Sequence, residues 1–147
     1  MAKINLRLTS NTIIELNIEE RITFIGGDSG TGKTLLMQAI FDAKENSTDI
    51  ELKGIDIDKF ELCFSENEVA NLLTCHNKVI LIDRYDIFDL KTKQTLWKKM
   101  SELDNTWIIM TRNPDIPYNF GHSSSSYKEI KQKTDNNGNI TLYLKSY

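Results

Sequence analysis

The stretch 21-RITFIGGDSGTGKTLLMQAI-40 decides how this chain is read. It passes from an apolar run, Ile22 to Ile25, through glycines into a segment with helical spacing at Leu35, Leu36, Ala39 and Ile40. Between the two lies GDSGTGKT, Gly27 to Thr34, which fits G-x-x-x-x-G-K-[ST] at every fixed position. Glycine lets the main chain curl so that successive N–H groups converge just before a helix N-terminus. Such a loop holds a phosphate chain without side-chain bulk. The pattern assigns Gly27, Asp28, Ser29, Gly30, Thr31, Gly32, Lys33, Thr34 and Leu35 to a nucleoside triphosphate. Lys33 reaches the outer phosphates and the Thr34 hydroxyl joins Mg²⁺. A chance glycine-rich turn is the competing reading, and the preceding strand and following helix argue against it.

On the N-terminal side, Ile4 to Leu8 and Ile13 to Ile18 alternate apolar with polar residues around a Ser10-Asn11 turn, which predicts an antiparallel hairpin with one wet face. The helix is expected over Thr34 to Ala43. Two short alternating pieces follow from Asp49 to Phe64 around Gly54, and the second, with Phe60, Leu62 and Phe64 on one side, predicts an edge strand. Ser65 and Glu68 form an S-x-x-E capping box for a helix carrying Val69, Leu72 and Leu73. Val79 to Ile82 and Trp107 to Met110 are short continuous apolar runs, as parallel strands covered on both faces require, and predict the sheet centre. Between them Leu90, Leu96, Trp97, Met100 and Leu103 keep helical period, with Lys91, Lys93, Lys98 and Lys99 outside. After Pro114 and Pro117 comes a loop with Ser123 to Ser126. Tyr127 to Lys133 and Ile140 to Tyr147 then flank DNNGN, the turn of a closing hairpin.

A length of 147 residues with 39% hydrophobic content predicts one domain, 1–147, with one core and no room for a separate substrate domain. Eighteen basic against 21 acidic residues argue against broad adhesion to nucleic acid or anionic membrane. The lysine-rich helix face reads first as solvated. Cys63 and Cys75 lack metal-ligand spacing and read as buried thiols, and Trp97 and Trp107 as core. The absence of a signal-like N-terminal run or an apolar stretch of about 18 residues predicts a cytoplasmic protein without a membrane partner.

Mg²⁺ beside phosphates calls for a carboxylate at the end of a neighbouring strand. VILID ends at Asp83, which pairs with Thr34 as the expected metal-binding set. At this point TIIELNIEERITFIGGDSGTGKTLLMQAI and VILIDRYDIFDLKTKQTLWKKMSELDNTWIIMTRNP, well over a third of the chain, resemble the ATP-binding-cassette and RecF-like branch of P-loop ATPases. The first segment resembles their opening hairpin, Walker A loop and first helix, the second their Walker B strand, following helix and switch strand. The resemblance implies a three-layer α/β/α fold: a mostly parallel central sheet, with an N-terminal antiparallel hairpin and a C-terminal β-hairpin. In that branch the switch strand separates Walker A from Walker B.

The chain also departs from that pattern. Only fifty positions separate Lys33 from Asp83, which leaves no helical subdomain with an LSGGQ-type signature and argues against a transporter motor. No aromatic residue precedes Phe24 to stack a base. Where family members carry a water-polarising glutamate after the Walker B aspartate, this chain has Arg84, whose guanidinium stays protonated. Asp86 is either the replacement base or a turn residue, and Glu66 is a second candidate whose setting reads more as helix capping. The resemblance implies a γ-phosphate-sensing residue at the end of the switch strand, a place that Arg112 or Thr111 occupies, and Arg112 either touches that phosphate or pairs at the surface. Lys33, Asp86 and Arg112 therefore form the candidate catalytic set. The leading expectation is an accessory ATPase that hydrolyses Mg-ATP slowly, its site completed by a protein partner or second copy. The alternatives are a non-hydrolysing, nucleotide-responsive module and a nucleotide kinase, the last because Asp83-Arg84-Tyr85 resembles the DRY element of thymidylate kinases.

Overall fold

The protein is described from a computed structural model covering residues 2–8, 12–26, 32–45, 50–53, 56–102, 104–112 and 125–146. Nine strands among these residues form one sheet: β1 (Ala2–Leu8), β2 (Thr12–Ile18), β3 (Ile22–Gly26), β4 (Ile50–Lys53), β5 (Phe60–Cys63), β6 (Val79–Ile82), β7 (Thr106–Met110), β8 (Ser125–Thr134) and β9 (Ile140–Ser146). Their order is β4-β1-β2-β9-β8-β3-β7-β6-β5. From β8 to β5 every neighbouring pair is parallel. On the other side β8–β9, β1–β2 and β1–β4 are antiparallel, and β2–β9 is parallel. The fold is mixed α/β.

The expected hairpins both form, but they do not stand apart from the central sheet. The β8–β9 hairpin lies between β2 and β3, so β8 occupies the middle of the strand order. VILI and WIIM, predicted at the centre, are instead interior to the parallel half. Both are buried on both faces, as their unbroken apolar runs require. β5 is a sheet edge, as its pattern predicts.

Two helices sandwich the parallel strands. α1 (Lys33–Glu45) turns Leu36, Met37 and Ile40 onto one sheet face, against Ile14 and Leu16 of β2, Ile25, Leu81, Ile108, Ile130 and Leu142. All three helix residues are essentially inaccessible, and burying each contributes roughly 1.5–3 kcal/mol. α2 (Leu90–Met100) places Leu96 and Met100 on the opposite face with Ile22, Phe24, Ile80, Trp107 and Ile109. The Arg21 side chain donates to the Met100 and Glu102 carbonyls, tying the end of α2 to the start of β3.

Four local expectations are corrected. The Ser65 capping box does not form: Glu66–Leu72 is a 3-10 run, and the Ser65 hydroxyl faces the Glu68 carboxylate at 3.5 Å with no bond to the backbone. Val69 and Leu72 still reach the core. Lys93 and Lys99 are buried rather than outside, because the Lys93 ammonium lies over the Tyr85 ring at 5.1 Å and Lys99 bonds Glu102 at 2.8 Å, while Leu90 is exposed. Trp107 is fully buried, but Trp97 is only partly so. Cys75 is half-buried, unlike Cys63. Ser10, Asn11, Gly54, Leu103, Pro114, Pro117, Ser123 and Ser124 lie outside the described residues. No helix among the described residues is long and apolar enough to cross a membrane.

Candidate functional site

Parallel strands carry their ligands beyond their carboxyl ends, where the connecting loops converge. A cavity of about 390 Å³ opens there, at the ends of β3, β6, β7 and β8. Each wall comes from a different element. The start of α1 contributes Gly32, Lys33, Thr34 and Leu35; the turn after β6 contributes Asp83, Arg84 and Asp86; and β7 leads into Thr111 and Arg112.

The α1 wall depends on two glycines. Gly32 has φ +106, a backbone that side chains rarely adopt, and its carbonyl accepts the first helical bond from Leu36 N–H at 2.9 Å. Gly26 ends β3 beneath Tyr127. A methyl group built on it would lie 1.7 Å from the tyrosine hydroxyl oxygen and 2.4 Å from Cζ. The tyrosine therefore fills the space that the glycine leaves at the entrance to the glycine loop.

The β6 wall is held by main-chain bonds. Asp83 N–H donates to the Cys63 carbonyl at 2.9 Å, and one Asp83 carboxylate oxygen accepts Arg84 N–H at 2.9 Å. Arg84 adopts φ 56, ψ 36, a left-handed conformation that costs a non-glycine residue roughly 1–2 kcal/mol. Past it the chain makes a 3-10 turn, Tyr85–Ile87, that drives Tyr85 fully into the core. There the Tyr85 hydroxyl accepts a hydrogen bond from Trp97 Nε1, and its ring meets Phe24 edge-on with centroids 6.1 Å apart. This disposition counts against the DRY reading, because the tyrosine does not face the cavity.

Asp86 remains at the cavity wall, where its carboxylate faces Arg112 N–H at 3.4 Å. Glu66 is engaged elsewhere: it accepts Asp89 N–H at 2.6 Å and so braces the start of α2, not the segment after Ser65 whose cap was expected. Behind Asp83, burial and then the Glu68 charge push the Cys63 thiol up to about 12. That thiol is a neutral packing group at physiological pH.

Lys33, Thr34, Leu35, Asp83, Asp86, Arg112 and Gly32 thus converge on one cavity. Gly27, Asp28, Ser29, Gly30 and Thr31 lie outside the described residues. Arg84 and Gln132 also line the cavity without having been singled out as binding residues. Gln132 sits on β8, and no local pattern announces it, because its place depends on β8 pairing beside β3. Thr34 and Asp83 offer a hydroxyl and a carboxylate, the hard oxygen donors that Mg²⁺ takes together with phosphate and water. No group of three His, Cys, Asp or Glu side chains suited to a metal occurs among the described residues, and a phosphate-bridged Mg²⁺ does not need one. No protein-family model matches the chain, and no curated protein matches it.

Proposed function

We propose that this chain binds a Mg²⁺–nucleoside triphosphate, ATP in the first instance, and hydrolyses it slowly, as an accessory ATPase or nucleotide switch of the P-loop type. The observation that carries this reading is the order β3-β7-β6 at the cavity. The strand leading into G-x-x-x-x-G-K-[ST] is separated from the strand ending at Asp83 by the one that delivers Thr111 and Arg112. This is the arrangement expected from the resemblance to cassette-type ATPases.

In this reading the α1 N-terminus and Lys33 neutralise the phosphate chain. Thr34 and Asp83 hold Mg²⁺, which when bound screens the phosphate charge. Asp83 can do so because the Arg84 amide occupies only one of its oxygens. Arg112 reaches the terminal phosphate. Asp86, the other carboxylate at the cavity, orients the attacking water. Phosphoryl transfer depends chiefly on positioning and charge, so a carboxylate already facing the Arg112 amide supports binding better than turnover. The same contact favours the second reading, a non-hydrolysing module. A nucleotide that draws in Arg112 also disturbs Asp86, which gives a protein partner or second copy a loop to sense.

Calorimetry and steady-state phosphate release on the purified protein test both. Lys33→Ala abolishes nucleotide binding, Asp83→Asn abolishes its Mg²⁺ dependence, and Asp86→Ala spares binding but removes turnover. If the parent protein gives no heat of association at millimolar Mg-ATP, the reading fails. Binding without any phosphate release above Lys33→Ala selects the module.

A further inference from the structure

Resting on that reading, we propose that Arg84 contacts the terminal phosphate from within the same chain and gives the site its preference for triphosphate over diphosphate. Four observations converge on this side chain.

The backbone at Arg84 is left-handed, a conformation that glycine and asparagine adopt far more comfortably. It cannot relax, because both neighbours are anchored: Asp83 N–H is bonded to β5 and Tyr85 is locked in the core beneath α2. The turn alone would be better served by a smaller residue, so what arginine adds is its guanidinium. Non-glycine residues held in this region concentrate where the side chain is used.

That guanidinium makes no hydrogen bond or ion pair among the described residues, although carboxylates stand one position before and two after it. The Asp83 oxygen takes the Arg84 main-chain amide, and the Asp86 oxygen faces that of Arg112. The arginine is therefore exposed on the cavity wall, with no described residue taking up its donors.

Its location selects the ligand group. Asp83, the proposed metal ligand, lines the cavity at the end of β6, and Gln132 lines it from β8, across β7 and β3 in the strand order. A triphosphate laid along the start of α1 with its metal at Asp83 presents its last phosphate to the wall that carries Arg84. Around the cavity as a whole, three cations, Lys33, Arg84 and Arg112, stand against two carboxylates, Asp83 and Asp86. The planar fork of arginine matches a pair of phosphate oxygens, which a diphosphate would leave out of reach.

The test measures the affinity of the full chain for ATP and for ADP, each with Mg²⁺, by calorimetry, and its melting without nucleotide. Arg84→Asn keeps the turn and removes the charge. It is expected to lose about tenfold or more in ATP affinity, to hold ADP affinity within about twofold, and to melt no lower than the parent. Arg84→Lys, which keeps the charge without the fork, falls between. A structural role for Arg84 predicts the reverse: lower melting and equal losses for both nucleotides. The inference is overturned if Arg84→Asn retains the parent's ATP-to-ADP ratio, or weakens both nucleotides alike. Should Arg84→Asn fail to fold, Arg84→Gly takes its place, since glycine accepts the turn without strain. Lys33→Ala separates the two levels. Loss of both nucleotides in Lys33→Ala, with an unchanged ratio in Arg84→Asn, overturns the inference and keeps the site. A parent that binds neither nucleotide overturns both.

Discussion

Replacing Gly26 with alanine probes how the core supports the cavity. The added methyl would come within 1.7 Å of the Tyr127 oxygen and 2.4 Å of Cζ, well inside any real carbon contact. Either the tyrosine swings out or β3 shifts. Tyr127 packs against the cluster built on Ile22, Phe24 and Trp107, so its displacement is an overpacking event of roughly 1–3 kcal/mol. For a chain of this length that lowers the melting temperature by roughly 3–9 °C. Because Gly26 is the last residue of β3 and leads into the glycine-rich segment, the proposed function further expects the same shift to weaken nucleotide binding. The assay is a double-mutant cycle followed by thermal melting. Tyr127→Phe does not rescue Gly26→Ala, because Cζ remains in conflict after the hydroxyl is gone. Tyr127→Ala does, and the non-additivity should match the cost of Gly26→Ala in the parent, about 1–3 kcal/mol. If Gly26→Ala costs as much with Tyr127→Ala as without it, the clash is not the cause and the reasoning is refuted.

Two further outcomes follow from titratable groups. Native protein at pH 8 should leave Cys63 unmodified by a thiol reagent while Cys75 reacts slowly, and both should react once unfolded. Since folding raises the Cys63 pKa from 9.0 to about 12, its contribution to stability is complete below pH 9 and declines as pH rises through that interval, which alkaline melting curves would register. Asp135 closes the β8–β9 turn by accepting from the N–H groups of Asn137 and Asn139 and from the Asn139 amide. These bonds lower its pKa below 3.8, so the turn is held above that pH and loosens as acid titrates the carboxylate through its depressed value. Hydrogen exchange at Asn137 and Asn139 should accelerate there, and unchanged protection would contradict the assignment.

Elements whose cause is local are legible in the sequence. The apolar run, glycines and amphipathic stretch after Arg21 place β3 within one residue of its ends and α1 within two. The unbroken runs VILI and WIIM identify strands buried on both faces. Where tertiary contacts compete, local pattern misleads. The S-x-x-E signal at Ser65 yields no cap because the segment winds as a 3-10 run, in which the Ser65 hydroxyl faces the Glu68 carboxylate instead of the backbone. Lys93 leaves the solvent face because an aromatic ring from a turn several residues earlier lies under it. Of the candidate site, the motif residues could be named individually from their spacing. Arg84 stands in the sequence where the ATPases that the chain resembles carry a glutamate, but no local pattern announces its left-handed backbone. Gln132 belongs to the cavity only through a pairing across about a hundred residues, for which a single sequence carries no signal.

That pairing also bears on how the chain acquires its shape. β8 and β9, late in the chain, bridge β2 to β3, two strands made near its beginning. A ribosome that has delivered residues through 112 has produced both flanks of the sheet but not the pair of strands that joins them. Until that pair arrives, β2 and β3 each present an unmatched row of amides and carbonyls, and high contact order predicts slow closure. Truncation before Ser125 therefore removes far more than a hairpin: it divides the sheet in two and leaves the intermediate open to self-association during synthesis.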